Sequence, residues 1–138
     1  MPHYLVTGAS SGIGAALATA LLRRGDKVTA MARRKDKLAA LDDSSGNFHG
    51  STCDVTDAAA LATATEDAVD KQGPVDCAIL NAGMYVPQDS LKIDPAVYAR
   101  HMDVNYMGVV NALPPLIAGL AARRSGPVSY THLTLPTS

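Results

Sequence analysis

Apolar residues along this chain follow two alternating rhythms. Short runs rich in aliphatic and β-branched residues, "HYLVT" at 3–7, "KVTAMA" at 27–32, "NFHGSTCDV" at 47–55 and "VDCAIL" at 75–80, predict strands, the third more weakly than the rest. Between them the spacing turns helical. Ile13, Leu17, Ala20, Leu21 and Arg24 recur at helical intervals after a glycine turn, and Gly25 stands where a helix C-terminal glycine belongs. "KDKLAAL" at 35–41 makes a short helix. Leu61, Ala64, Ala68 and Val69 share one face of a longer helix that Thr56 or Asp57 caps and Gly73-Pro74 stops. Asp94 before Pro95 predicts a cap with proline at the first helical position, opening a helical region to about Arg124 that Pro114 and Pro115 kink or divide.

About four strands in strict alternation with helices predict an α/β domain with a doubly wound parallel sheet. "VDCAIL" is apolar enough to be buried on both faces, as parallel strands usually are. Ligands of such sheets bind at the carboxyl ends of the strands, beside the point where strand order reverses. The chain has 138 residues, 47% hydrophobic and 18% charged, which suits one globular domain. A formal net charge of −1 supplies no field for nucleic acid or an anionic membrane, so small-molecule partners are expected. Cys53 and Cys77, the only cysteines, form neither a disulfide framework nor a zinc pattern, and a reducing cytoplasm is the expected location. They read as small buried strand residues. The start of the chain lacks a basic leader, and "GVVNALPPLIAGLAA" is broken by Asn111, Pro114 and Pro115, so no membrane span is expected. His3, His49 and His101 show no metal-ligand spacing and read as hydrogen-bonded structural residues.

The candidate chemistry begins at "VTGASSGIGAAL", which joins the first strand to the first helix with glycines at 8, 12 and 14. Glycine lets the backbone turn sharply and lets a phosphate approach a helix N-terminus, where free N–H groups favour an anion. The spacing differs from the P-loop and lacks its lysine, which argues against ATP hydrolysis. Four segments in order, "TGASSGIG" at 7–14, "CDVTD" at 53–57, "NAG" at 81–83 and "DVNYMG" at 103–108, followed by "LPPL", resemble the N-terminal half of a compact, single-domain short-chain dehydrogenase/reductase. The resemblance covers residues 3 to 126 and implies a Rossmann-type fold that binds NAD(P)(H). It implies that Gly8, Ser10, Ser11, Gly12, Ile13 and Gly14 surround the pyrophosphate and its ribose. Asp54 and the Val55 backbone would meet the adenine edge, and Asn81, Ala82 and Gly83 would lie along a ribose. Asn105 would be the catalytic-site asparagine that distorts its helix and holds a water in a proton relay. An asparagine in an apolar helical stretch needs a partner once buried in any case.

Charge bears on cofactor choice. Where an NAD site usually carries an acid at the end of the second strand this chain has Ala32, followed by Arg33 and Arg34, so NADP(H) is expected over NAD(H). By resemblance the parent transfers hydride between NADP(H) and a carbonyl or alcohol, is a homo-oligomer through its long helix, and needs a serine and a Tyr-x-x-x-Lys motif. Ser129 and Tyr130 are adjacent, and no lysine follows Lys92, so that motif is missing and the chain alone is expected to be inactive. "VSYTHLTLPT" resembles instead the translation of a transposase-type sequencing adapter. Residues 1–126 then form an incomplete cofactor-binding domain and 127–138 a non-native tail, which would leave "VDCAIL" a bare sheet edge. The rival reading is a non-catalytic dinucleotide-binding or regulatory protein on the same fold.

Overall fold

The computed structural model describes residues 1–123 and, as backbone, 128–130. Five parallel strands are present among them: β1 (His3–Thr7), β2 (Lys27–Ala32), β3 (Phe48–Thr52), β4 (Cys77–Leu80) and β5 (Val128–Tyr130). Their order is β3-β2-β1-β4-β5. The chain winds outward from β1 through β2 to β3, then returns to the other side of β1 with β4. The crevice expected of a doubly wound sheet therefore opens between β1 and β4, at their carboxyl ends.

Helices cover both faces. Side chains of β1 alternate: Leu5 points into a core shared with α3 (Ala58–Gln72) and α5 (Gly108–Arg123), and Val6 into one shared with α1 (Gly12–Arg23) and α2 (Lys35–Ala39). α1 ends as its glycine foretold. Gly25, at φ +93°, donates to the Leu22 carbonyl and Asp26 to that of Leu21, which is the Schellman arrangement. Asp57, not Thr56, caps α3, its side chain accepting the Ala60 N–H at 3.0 Å. The buried face of α3 is Leu61, Ala64, Thr65 and Ala68, while Val69 is 37% exposed. Thr65 takes that place because its hydroxyl is satisfied inside the helix, donating to the Leu61 carbonyl at 2.8 Å. The face of α1 is likewise turned from expectation: Gly14, Ala18, Leu21 and Leu22 are buried, and Ile13 is 63% exposed.

Three further expectations change. β4 is not a bare edge, because β5 pairs with it in register Ala78↔Val128, Ile79↔Ser129 and Leu80↔Tyr130. Such pairing is made by main-chain groups and asks only for an extended tripeptide. Nor is β4 buried on both faces: Ala78 and Leu80 are buried, Cys77 and Ile79 half-buried. Pro114 and Pro115 lie inside α5 without dividing it. The departure from α geometry falls earlier, in a π-helical segment, Met102–Met107, that continues α4 (Pro95–His101) into α5. The run Pro95–Ala122 is long and apolar enough to cross a membrane by length and composition, an 18-residue stretch of it reaching mean hydropathy 1.3. In this fold Val97, Val109, Ala112, Leu116 and Leu120 of that run are buried. The boundary at Gly126 and the tail beyond Tyr130 lie outside the described residues.

Candidate cofactor and active site

The site begins with backbone. Gly8 and Gly12 adopt φ of +65° and +58°, in the left-handed region that a side chain resists. A Cβ on Gly8 would stand 2.7 Å from the Ala82 Cα, and one on Gly14 would overlap the Gly8 carbonyl oxygen. The glycines thus let α1 press its first turn onto the ends of β1 and β4. Ser11, the N-cap, makes no side-chain capping bond, and the first turn holds no acid, so no side chain of the turn competes for those helix N–H groups. Thr7 fastens the other bank. Its hydroxyl oxygen accepts the N–H of Asn81 at 3.0 Å and of Ala82 at 3.1 Å, while the Asn81 amide donates to the Gly8 carbonyl at 3.4 Å.

A cavity of about 870 Å³ lies over this junction. Gly8, Ser10, Ser11, Arg33, Arg34, Asp54, Val55, Asn81, Ala82 and Gly83 line it. Ten predicted positions from four separate loops thereby meet around one space. Among the described residues neither Arg33 nor Arg34 has a carboxylate within 4.0 Å. Asp54 does not cap α3. Its carboxylate accepts the Thr56 N–H at 2.9 Å and the Thr56 hydroxyl at 2.8 Å. The Thr56 N–H above all, with the hydroxyl and nearby Arg33 adding to it, holds the Asp54 carboxyl below its ordinary range. Cys53 also lines the cavity, and burial pushes its thiol up, away from the reactive thiolate.

Beyond Gly83 a second cavity, of about 590 Å³, is bounded by Ile13, Asn81 and Gly83 on the sheet side and by Tyr98, His101 and Asn105 on the helix. Its outer wall is the irregular segment 84–88. Asn105 sits within the π-helical segment and meets Met84 with both ends of its amide: Oδ1 accepts the Met84 N–H at 2.7 Å, and Nδ2 donates to the Met84 carbonyl at 2.8 Å. One Nδ2 hydrogen and one Oδ1 lone pair remain for any water the side chain would hold. One turn earlier His101 faces the Val97 carbonyl with Nδ1, at 2.7 Å, and accepts the Val86 N–H on Nε2, at 2.8 Å. The end of the π-helical segment packs on the first cavity's floor, where a Cβ on Gly108 would lie 2.6 Å from Val55 Cγ2.

Of the sequence candidates only Gly12 and Gly14 line neither cavity, and they act through backbone shape. Thr7 was missed, although a threonine ending a strand beside a glycine turn is a usable signal. So were Arg100, Asp103 and Val104, which line the first cavity from the helix, and Tyr85, Tyr98 and His101 at the second. Helical periodicity carries no sign of which loop a residue will face.

Known proteins share this sequence pattern and fold. A family model described as short chain dehydrogenase matches residues 2–130. A glycine betaine reductase of Emericella nidulans is 39% identical over 128 residues, 90% of this chain and 10% of that protein. A 3-dehydrosphinganine reductase of Arabidopsis thaliana is 34% identical over 94% of this chain and 40% of its own length. The crystal structure of an actinorhodin polyketide ketoreductase with NADPH superposes with a TM-score of 0.86 at 27% identity, covering 94% of this chain and 52% of that one. The chain therefore spans about half, or less, of the relatives it matches. With its glycine turn, parallel strand order and helix-borne asparagine in place, this chain belongs to the short-chain dehydrogenase family.

Proposed function

We propose that the chain is the cofactor-binding part of an NADP(H)-dependent oxidoreductase acting on a small carbonyl or alcohol. The observation that carries the cofactor choice is the pair Arg33 and Arg34, with no carboxylate within 4.0 Å among the described residues, after Ala32 on the rim of the glycine-turn cavity. The residues fit a dinucleotide phosphate. First-turn N–H groups of α1 would hold the pyrophosphate, and the two guanidiniums would supply the planar charge that a ribose 2′-phosphate takes. Asp54 and Val55 would hold the adenine end, and Asn81 to Gly83 run toward the second cavity, where Asn105 holds the wall. When bound, nicotinamide supplies or accepts a hydride. The chain's part is to hold and orient that ring and to keep a polar helix residue beside it.

Titration of the 138-residue chain with NADPH and NADH, by fluorescence or calorimetry, tests this. Arg33→Asp should weaken NADPH about ten- to a hundredfold, the worth of charge-assisted bonds, with NADH little changed. An unchanged NADPH-to-NADH ratio would sink the cofactor assignment. No lysine follows Lys92, so we propose that the chain binds without turnover, and that residues 127–138 derive from a sequencing adapter. The second reading is a dinucleotide-binding protein without catalysis on the same fold. Template DNA reading on from Gly126 into a serine and Tyr-x-x-x-Lys would decide for the enzyme.

A further inference from the structure

We propose that His101 is a positioning residue whose neutral ring clasps the 84–88 segment, and that gaining a proton releases it. Segment 84–88 has no helix or strand of its own, and Tyr85 within it is 75% exposed. Two side chains of the π-helical stretch and the turn before it hold it down. Asn105 grips Met84 with an amide that does not titrate. His101 grips Val86 with a ring nitrogen that accepts only while it carries no hydrogen.

The ring's protonation follows from its partners. The Val97 carbonyl can only accept, so Nδ1 carries hydrogen; the Val86 N–H can only donate, so Nε2 carries none. A second proton would put N–H against N–H at 2.8 Å, and that bond must open. Among the described residues lining the cavity, the titratable groups around the ring are the phenols of Tyr98, on α4, and Tyr85, on the segment, whose rings lie 6.4 and 6.2 Å from it. Every other described residue lining this cavity is uncharged. Arg100 and Asp103, on the same helical run, line the cofactor-side cavity instead. No carboxylate among these groups is placed to hold the added proton against the loss of the Val86 bond. Acid thus frees the outer wall of the second cavity at Val86 while Asn105 retains it at Met84. The clasp takes from the preceding reading only the identity of that cavity, and it can fail or hold independently of cofactor choice.

Amide hydrogen exchange on the 138-residue chain tests the clasp, with rates corrected for intrinsic chemistry. Protection at Val86 should fall about tenfold from about pH 8 to about pH 5, while protection at Met84 stays within about twofold. His101→Gln, whose amide oxygen can take the Val86 N–H without titrating, should keep Val86 protected at both ends. Equal behaviour of Val86 and Met84, or the same fall in His101→Gln, overturns the proposal. Nitrogen chemical shifts of the His101 ring at about pH 8 provide a second test that needs no acid and no variant. Hydrogen on Nδ1 supports the clasp, and hydrogen on Nε2 overturns it.

Discussion

Thr7 and Asn105 solve one problem from opposite sides. The chain leaving β4 must turn away from the sheet, so its N–H groups lose their ladder partners, and single side chains replace them. Thr7 accepts from Asn81 and Ala82, and Asn105 exchanges both bonds with Met84. Thr7→Val keeps the shape and removes one acceptor shared by two buried-side donors. It should destabilise the fold by about 1–3 kcal/mol, read as a lower urea midpoint with an unchanged slope; a shift within error would show that water takes over both N–H groups. Arg33 and Arg34 stood out by charge at a strand end and Asp54 only through the resemblance at "CDVTD", and all three line the first cavity. Thr7 was harder to see, since a hydroxyl at that position serves a strand end and a cofactor loop alike.

The strands β1 and β2 and the caps at Gly25 and Asp94 follow directly from local chemistry. Asp94 accepts the Ala96 N–H at 3.0 Å, with Pro95 in the first turn as expected. Asp57→Ala should cost about 1 kcal/mol through loss of the α3 cap, and Asp57→Asn should recover most of it in the same denaturation measurement. Equal loss in both variants would point to charge rather than the hydrogen bond. Helical faces were legible only to within a residue. Ile13 is apolar and helical in spacing, yet it faces a cavity rather than the core, and periodicity alone cannot separate those two destinations. The π-helical segment left no periodic trace either. It was legible through the resemblance at "DVNYMG", which implied a helix distorted at Asn105, and through that polar residue in an apolar stretch.

Across the whole molecule, exposed apolar residues gather on the long helical run. Met102, Tyr106 and Ile117 are 45%, 46% and 50% exposed. We expect concentration-dependent self-association through this face in sedimentation, weakened by Tyr106→Lys; a monomer at every concentration would refute it. At the other end of the sheet His3 is 1% exposed, its Nε2 against the Thr29 hydroxyl at 2.8 Å and its Nδ1 against the Gly73 carbonyl at 2.9 Å. Burial, outweighing the backbone partners Gly73 and Pro74 and nearby Asp76, pushes the imidazole below its ordinary 6.5. The unfolded chain then binds the proton more readily, so this contribution to stability is whole above pH 6.5 and is lost as the pH falls through the lowered value. Urea midpoints should decline over that window and decline less in His3→Gln. A midpoint that rises on acidification would mean His3 is held as a cation by its two acceptors. The π-helical segment, finally, can be counted as a phase correction. Val97 and the Val109, Ala112, Leu116 set both face the core, although twelve residues separate Val97 from Val109. At about 100° per residue an unbroken α-helix would leave them roughly 120° apart. A π-turn absorbs one extra residue and brings that difference down to about 20°. The irregularity beside the second cavity is therefore what lets one helical run serve two clients, presenting Asn105 to Met84 while keeping the buried residues of both of its halves in line.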